Sequence, residues 1–370
     1  MAQQIGVGLV GYGGIGKLHA LVYRALPIAA GPAMPPVRLV GVCTATAASA
    51  ARAAAETGAT LATTDLQELL DCPEITVVDC CTPTADHLAV ARAALAAGKA
   101  LYCQKPLAHN LAAAGEIAQA ARQADRPTGL HFNFRWSPAL GHAHRLISNG
   151  FLGDLYSVRL SYLRASNLDS TRPMSWRFRR AEGGGVLLDL GAHVVDLATY
   201  LFGPITMVSG RLRTMITQRV GPSGALEAVE TDDAAWLDVE FALGGVGALE
   251  MSKMAVGAQD DLRLEAYGSR GALRFDAMDP HWLWTCDAAR ANGGYQRQPV
   301  GDRYQPAFAA FGADVVGGWP AWHMASVAAF LRSLAGGEPF RPSVEDGLAV
   351  QRVLETALRS SETGGQRLTV

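Results

Sequence analysis

The sequence has no charge excess of either sign: 32 Lys and Arg stand against 34 Asp and Glu over 370 residues. With the signs interspersed and a pI near 6.5, no basic stripe is present to neutralise phosphates, which argues against a nucleic-acid-binding surface. Cysteine is sparse, and the six thiols (Cys43, Cys72, Cys80, Cys81, Cys103 and Cys286) show no Cys-x-x-Cys spacing. Four of them lie in apolar strand-like runs where Cys acts as a small hydrophobe, so neither disulfides nor a metal is expected. The N-terminal apolar run, Ile5 to Val10, lacks a basic flank and is cut off by glycines, fitting neither a signal peptide nor a membrane span. A cytoplasmic protein is the expectation. No internal repeat or low-complexity tract is visible. What remains, 49% hydrophobic and 18% charged, is a globular chain long enough for two domains and two cores.

One stretch organises the rest: Gly183-Gly-Gly-Val-Leu-Leu-Asp189-Leu-Gly-Ala-His193-Val-Val-Asp196-Leu-Ala-Thr-Tyr200-Leu-Phe-Gly203. Read as one helix, it sets Asp189, His193, Asp196 and Tyr200 on one stripe, beside an apolar stripe of Leu190, Val194, Leu197 and Leu201. An imidazole one turn from a carboxylate, next to a seam that partly excludes water, is suited to proton exchange near neutral pH. The competing reading of the same spacing is a core histidine hydrogen-bonded to Asp189.

Near the N-terminus, Ile5 to Val10 reads as a buried strand, followed by Gly11-x-Gly13-Gly14-Ile15-Gly16 and the start of a helix. Glycines at this junction let backbone approach a pyrophosphate, toward which the free N–H groups of the new helix point. The helix is expected to end at Leu26, with Pro27 to Pro36 a long proline-rich loop before the strand Val37 to Cys43. Where a dinucleotide fold carries an acidic residue for the adenosine ribose, this chain has Thr44-Ala-Thr46, which leaves NAD against NADP open. Helices at Asp65–Asp71, Asp86–Ala97 and Leu111–Ala124 alternate with strands at Ile75–Cys81, Ala100–Gln104 and Thr128–Phe134, predicting a doubly covered parallel sheet. Thr82, Pro83, Gln104 and Lys105 fall at its ligand-binding carboxyl ends.

A helix from Pro138 to Asn149 leads to a second block. Its runs at Leu155, Asp233, Val246 and Asp261 alternate as antiparallel strands, and Gly268-Ser-Arg-Gly271 reads as a hairpin turn. Trp236 and Met251 stand on these strands: on an exposed sheet face they would point to a homo-oligomer, dimer or tetramer, and the alternative is that they face the core. Residues 287–320 read as a loop or flap. Helices at Ala321–Leu334 and Val344–Ser361 close the chain. The expected domains are 1–135 for NAD(P) and 136–370 for substrate and oligomerisation.

Together with the glycine turn, Cys81-Thr-Pro-x-x-x-His87, Tyr102-Cys-Gln-Lys105-Pro, Asn133-x-Arg135, Ser175-Trp-Arg-Phe178 and Gly185-x-x-x-Asp189-x-Gly-x-His193-x-x-Asp196 resemble the glucose-fructose oxidoreductase / inositol dehydrogenase (Gfo/Idh/MocA) family. The resemblance runs along nearly the whole chain, to Glu345-Asp-Gly347 and Ser360-x-Glu-Thr-Gly364. It implies an α/β fold, an N-terminal Rossmann domain followed by an α/β domain with a large, open, mostly antiparallel sheet, and NAD(P)-linked chemistry on a sugar, glycoside, polyol or cyclitol. Carried over by position, Lys105, Asp189 and His193 are the catalytic residues, and Gly11, Gly13, Gly14, Ile15, Gly16, Thr44, Thr82, Pro83, His87, Gln104 and Lys105 face the cofactor. Asn133, Arg135, Trp176 and Arg177, with Asp189 and His193, are the substrate candidates. Gln104 stands where the family motif has Glu, and Trp176-Arg177 resembles a subgroup acting on pyranosides, anhydrosugars or glycosides.

The expected reaction is reversible hydride transfer, with His193 as general base, cationic Lys105 on the same oxygen and Asp189 positioning the substrate. Two alternatives belong to other classes: a cofactor-retaining lyase or glycosidase that oxidises its sugar transiently, and a non-catalytic NAD(P)-binding sensor.

Overall fold

The computed structural model describes residues 4–31, 34–290, 294–300 and 318–370. The chain divides into two compact units, Met1–Trp136 with Gly301–Leu348, and Ser137–Val300 with Ala349–Val370. The first boundary lies one residue from the expected one. The return of 301–348 to the first unit was not anticipated.

In the first unit, β1 (Ile5–Val10), β2 (Val37–Cys43), β3 (Leu61–Thr63), β4 (Val77–Cys80), β5 (Ala100–Gln104) and β6 (Thr128–His131) form one sheet in the order β3-β2-β1-β4-β5-β6. Every pair in it is parallel. The order reverses between β1 and β4, the switch point at which such sheets bind ligands. Helices α1 (Gly14–Ala29), α2 (Ala47–Thr57), α3 (Leu66–Asp71), α4 (His87–Ala96) and α5 (Leu111–Ala124) connect the strands. Helix α1 runs past the expected end and takes Pro27 into its last turn, where the missing N–H removes only one ladder bond. Strand β6 stops at His131, because residues 133–136 tighten into a 3₁₀ turn. The late segment belongs here because β6 carries Gly129: a methyl on it would lie 2.8 Å from both Phe330, on α9 (Trp319–Leu334), and Phe340. Those aromatic rings fill the space that a side chain on the strand would have taken.

The second unit is built on a nine-stranded sheet in the order β16-β15-β14-β13-β7-β12-β11-β8-β17. The strands are β7 (Leu155–Leu163), β8 (Ile205–Arg213), β11 (Ala234–Phe241), β12 (Val246–Ser252), β13 (Asp261–Gly268), β14 (Gly271–Asp276), β15 (Trp282–Asp287), β16 (Gln296–Pro299) and β17 (Leu368–Thr369). A separate ribbon pairs β9 (Gln218–Val220) with β10 (Leu226–Ala228). The large sheet is antiparallel except for β7 against β12, which run parallel. One face, with Leu160, Leu249, Met251 and Leu264, is buried. Met251 therefore belongs to the core face and not to the open one, and Trp236 stands on the opposite side, its indole N–H donating to Glu250. The segment expected to be a flap contributes β16, and residues 291–293 and 301–317 lie outside the described residues. Besides α6 (Pro138–Ser148), the unit holds α7 (Val186–Asp189), α8 (Gly191–Phe202) and most of α10 (Val344–Glu362). Among the described residues no single helix is long and apolar enough to cross a membrane.

Candidate active site

The glycine turn of the first unit assigns each glycine a separate task. Gly11 has φ +93°, and a methyl there would lie 2.6 Å from the Cys81 carbonyl oxygen. On Gly16 it would lie 2.2 Å from the Gly11 oxygen, so the absent side chain lets α1 pack against its own strand. At Gly13 and Gly14 nothing stands within 4 Å of such a methyl. No side chain caps the N-terminus of α1, and its first turn carries no acid. Close approach at two glycines, open backbone at two, and uncapped helix N–H groups fit a dinucleotide pyrophosphate. On the ribose side, Thr44 is buried with its hydroxyl donating to the Thr46 carbonyl, and Thr46 caps α2 by accepting from the Ser49 N–H.

At the carboxyl ends of β4 to β6 lies a buried polar network. His19 Nδ1 is 2.7 Å from Asp79 Oδ2, and the carboxylate fixes the proton on that nitrogen. His19 Nε2 is then the acceptor for the Gln104 amide at 3.0 Å. An amide at 104 can donate to this nitrogen, which a carboxylate cannot. A second chain links Ser326 to Tyr102 at 2.7 Å, Tyr102 to His131 at 2.6 Å and His131 to His323 at 2.6 Å. Burial, reinforced by His19 and Lys105, holds the His323 imidazole well below its ordinary range and therefore neutral. His87, an expected cofactor contact, has 1% exposure, and both of its ring nitrogens face backbone carbonyls, which join the loops at Thr82 and Pro106. Arg135, an expected substrate contact, lies 3.8 Å from Asp346 at the start of α10, and Asn133 is buried.

In the second unit the stretch 183–203 is not one helix. A bend of 52° separates the segment ending at Asp189 from α8. Gly191 sits at the bend, where a methyl would touch Leu187, Met251 and Leu354 at 3.3–3.4 Å, so close packing on three sides fixes the break. His193, Asp196 and Tyr200 remain on α8, while Asp189 leaves the stripe and its carboxylate pairs with Lys253, just past β12. His193 is 7% exposed and packs edge-on to Tyr162 at 6.0 Å between ring centroids. Asp196 is buried, and Tyr200 stacks on His144 at 4.2 Å. The glycine triplet holds the neighbouring 3₁₀ turn: a methyl on Gly184 would lie 2.3 Å from the Arg177 oxygen. In that turn the Arg177 guanidinium lies 4.4 Å from the Trp176 ring centroid, a cation–π stack.

Lys253 and Asp232 are absent from the sequence reading. Lys253 is a buried lysine at a strand end, and the only sequence signal was a cation following an apolar strand. Asp232 accepts from the Leu187 N–H at 2.7 Å and so caps α7. Burial pushes its carboxyl from 3.8 up to about 6, against that hydrogen bond and nearby Lys253. Because the folded state then binds the proton more tightly than the unfolded chain, stability is fully present below the unfolded value and is lost as pH rises through the folded one. The interval corresponds to at most roughly 3 kcal/mol. Asp232→Asn keeps an acceptor for Leu187 and removes the titration. Calorimetry should show the wild-type melting temperature falling relative to the variant between about pH 4 and pH 6. Parallel curves would rule out Asp232 as the source.

Residues 5–132 match a model described as the oxidoreductase family NAD-binding Rossmann fold, and residues 141–274 match the GFO/IDH/MocA C-terminal domain. A levoglucosan dehydrogenase of Pseudarthrobacter phenanthrenivorans is 35% identical over 74% of each chain. The inositol 2-dehydrogenase of Rhizobium meliloti is 26% identical over 95% of this chain and 96% of that one. A solved levoglucosan dehydrogenase in complex with NADH and levoglucosan superimposes with a TM-score of 0.94 at 29% identity, covering 100% and 99% of the two chains.

Proposed function

The chain belongs to the GFO/IDH/MocA oxidoreductase family, and from that premise we propose that it oxidises an anhydropyranose or pyranoside hydroxyl with NAD as acceptor. The coarser activity, NAD-linked hydride transfer from a sugar or polyol, rests on the family and on relatives named as sugar and polyol dehydrogenases. When bound, the nicotinamide takes up the hydride. His193 accepts the hydroxyl proton on an imidazole largely withdrawn from water, and Lys105 is assigned the cationic role of stabilising developing alkoxide charge. Asp189, paired with Lys253, accepts from a neighbouring sugar hydroxyl and fixes the ring's orientation. Trp176 and Arg177 offer an apolar face and a cationic donor, to which a pyranose presents its C–H groups and its hydroxyls.

The observation that carries this reading is the grouping in the second unit of a buried imidazole, a lysine-paired carboxylate and an arginine-stacked tryptophan. The open face of the large sheet is assigned to a second copy of the chain. Its groove of about 730 Å³ is lined by Arg159, Arg263 and Arg274 alternating with Asp238, Glu250 and Glu265, a pattern that can meet itself across a two-fold axis.

The test crosses NAD and NADP with aldoses, cyclitols, anhydrosugars and glycosides and follows reduced nicotinamide by absorbance. Accumulation with NAD and an anhydropyranose or pyranoside is expected. Product formed without net reduction on a retained cofactor would favour the lyase or glycosidase. Tight cofactor binding with no turnover would favour the sensor.

A further inference from the structure

At the ends of β4 and β5 lies a cluster that neither hydride transfer nor the pyrophosphate turn uses. Cys80 and Cys103 face each other in register across the two strands, both wholly buried. The Cys80 sulfur lies 3.4 Å from the Thr82 hydroxyl. It is also hydrogen-bonded by the Cys103 thiol and the Thr82 backbone N–H. A hydroxyl beside this sulfur and a second thiol opposite it in register can both donate to it, which suits an anion better than a thiol.

His87 shows the converse pattern. Its Nδ1 is 3.0 Å from the Pro106 carbonyl oxygen and 3.3 Å from that of Leu107, and its Nε2 is 3.2 Å from that of Thr82. Carbonyl oxygens only accept. A neutral imidazole has one N–H, so its other nitrogen would turn a lone pair toward an oxygen lone pair; with both nitrogens protonated every contact is a hydrogen bond. Ligating atoms of Cys80, His87 and Cys103 lie within 4.8 Å of one another, so the ring and the sulfur are immediate neighbours. That grouping could suggest a metal, but both His87 nitrogens are already directed at carbonyls, which leaves no lone pair for one.

We propose that Cys80 and His87 form a buried thiolate–imidazolium pair, and that His87 in this form is a positioning residue tying the Thr82 loop to the turn that follows Lys105. The proton balance is internal: the Cys80 S–H bond breaks, a His87 N–H bond forms, and net charge is unchanged. The same neighbours pull the Cys80 thiol down to about 6, the Cys103 hydrogen bond foremost and His87 next among the favourable ones, against the cost of burial. Two hydrogen bonds to the carbonyls one and two residues beyond Lys105 then hold the backbone from which its ammonium extends. This positional role rests on the function assigned to Lys105 above.

The first experiment is nitrogen-15 NMR of the histidine-labelled full chain at about pH 8, where free imidazole has lost its second proton. The expected spectrum shows both His87 ring nitrogens protonated, with one equivalent of thiolate ultraviolet absorbance that Cys80→Ala abolishes. A single His87 tautomer in the wild-type protein, or stoichiometric bound metal, would overturn the pair; should Cys80→Ala fail to fold, the wild-type spectrum alone decides. For the positional role, His87→Gln, which cannot donate from both ends of a ring, should lower kcat by about 10²-fold with a smaller change in KM for the sugar. Unchanged kcat in the folded variant would refute it. Full turnover by Lys105→Ala would instead remove the role of Lys105 and leave the NMR result standing.

Discussion

His193→Ala is expected to lower kcat by roughly 10²–10⁴-fold, the range of a positioned general base, with NAD affinity unchanged. The second half of that expectation follows from the fold. The dinucleotide turn, β1 and α1 all belong to the first unit, whereas His193 is held in the second by α8 and Tyr162. The alanine removes a proton acceptor without opening the helix, because alanine is a better helix former than histidine. Titration of NAD into the variant and steady-state kinetics on the preferred sugar separate the two effects. Equal losses in binding and turnover would show that His193 is not the base.

A pair of glycine variants should separate ligand binding from folding with comparable force. Gly16→Ala sets a methyl 2.2 Å from the Gly11 oxygen, so backbone must move. Overpacking of this kind costs about 1–3 kcal/mol. The melting temperature and NAD binding should fall together. Gly13→Ala meets nothing within 4 Å and has φ -78°, which any residue adopts. Its melting temperature should stay at the wild-type value. Its NAD affinity should fall by about 10²-fold, because the methyl occupies the space through which backbone meets the pyrophosphate. An unchanged Kd in Gly13→Ala would show that the dinucleotide does not lie against this turn.

How much the sequence disclosed depends on whether the signal was local. The strands β1, β2 and β5 were legible from continuous apolar runs, and α5, one of the helices alternating with them, was placed at its observed bounds. The glycine turn was legible because its spacing carries its own mechanism. Among the strands that went unread, β3, β9, β10 and β17 are each two or three residues long, too short for any alternation to show. The bend before α8 also left no mark, since a helix broken by tertiary packing keeps its periodicity on both sides. For the same reason Asp189 was assigned to the stripe of His193. Its partner, Lys253, stands 64 positions away in the sequence and is recognisable only once β12 is placed beside α8.

The chain leaves its first unit after Trp136, returns to it from Gly301 to Leu348 and leaves it again along α10. During synthesis from the N-terminus, the six parallel strands therefore emerge long before the helix that covers one end of their sheet. Until α9 arrives, Gly129 and Tyr102 lack Phe330 and Phe340, and the hydrogen-bonded line through His131 ends without Ser326 and His323. An N-terminal fragment ending at Trp136 would carry an open apolar seam over polar groups bereft of partners. Its nucleotide-binding half is thus no autonomous module that could be cut out or transplanted by itself. The cover over that end of the sheet is supplied only once residues 319–340 have been made.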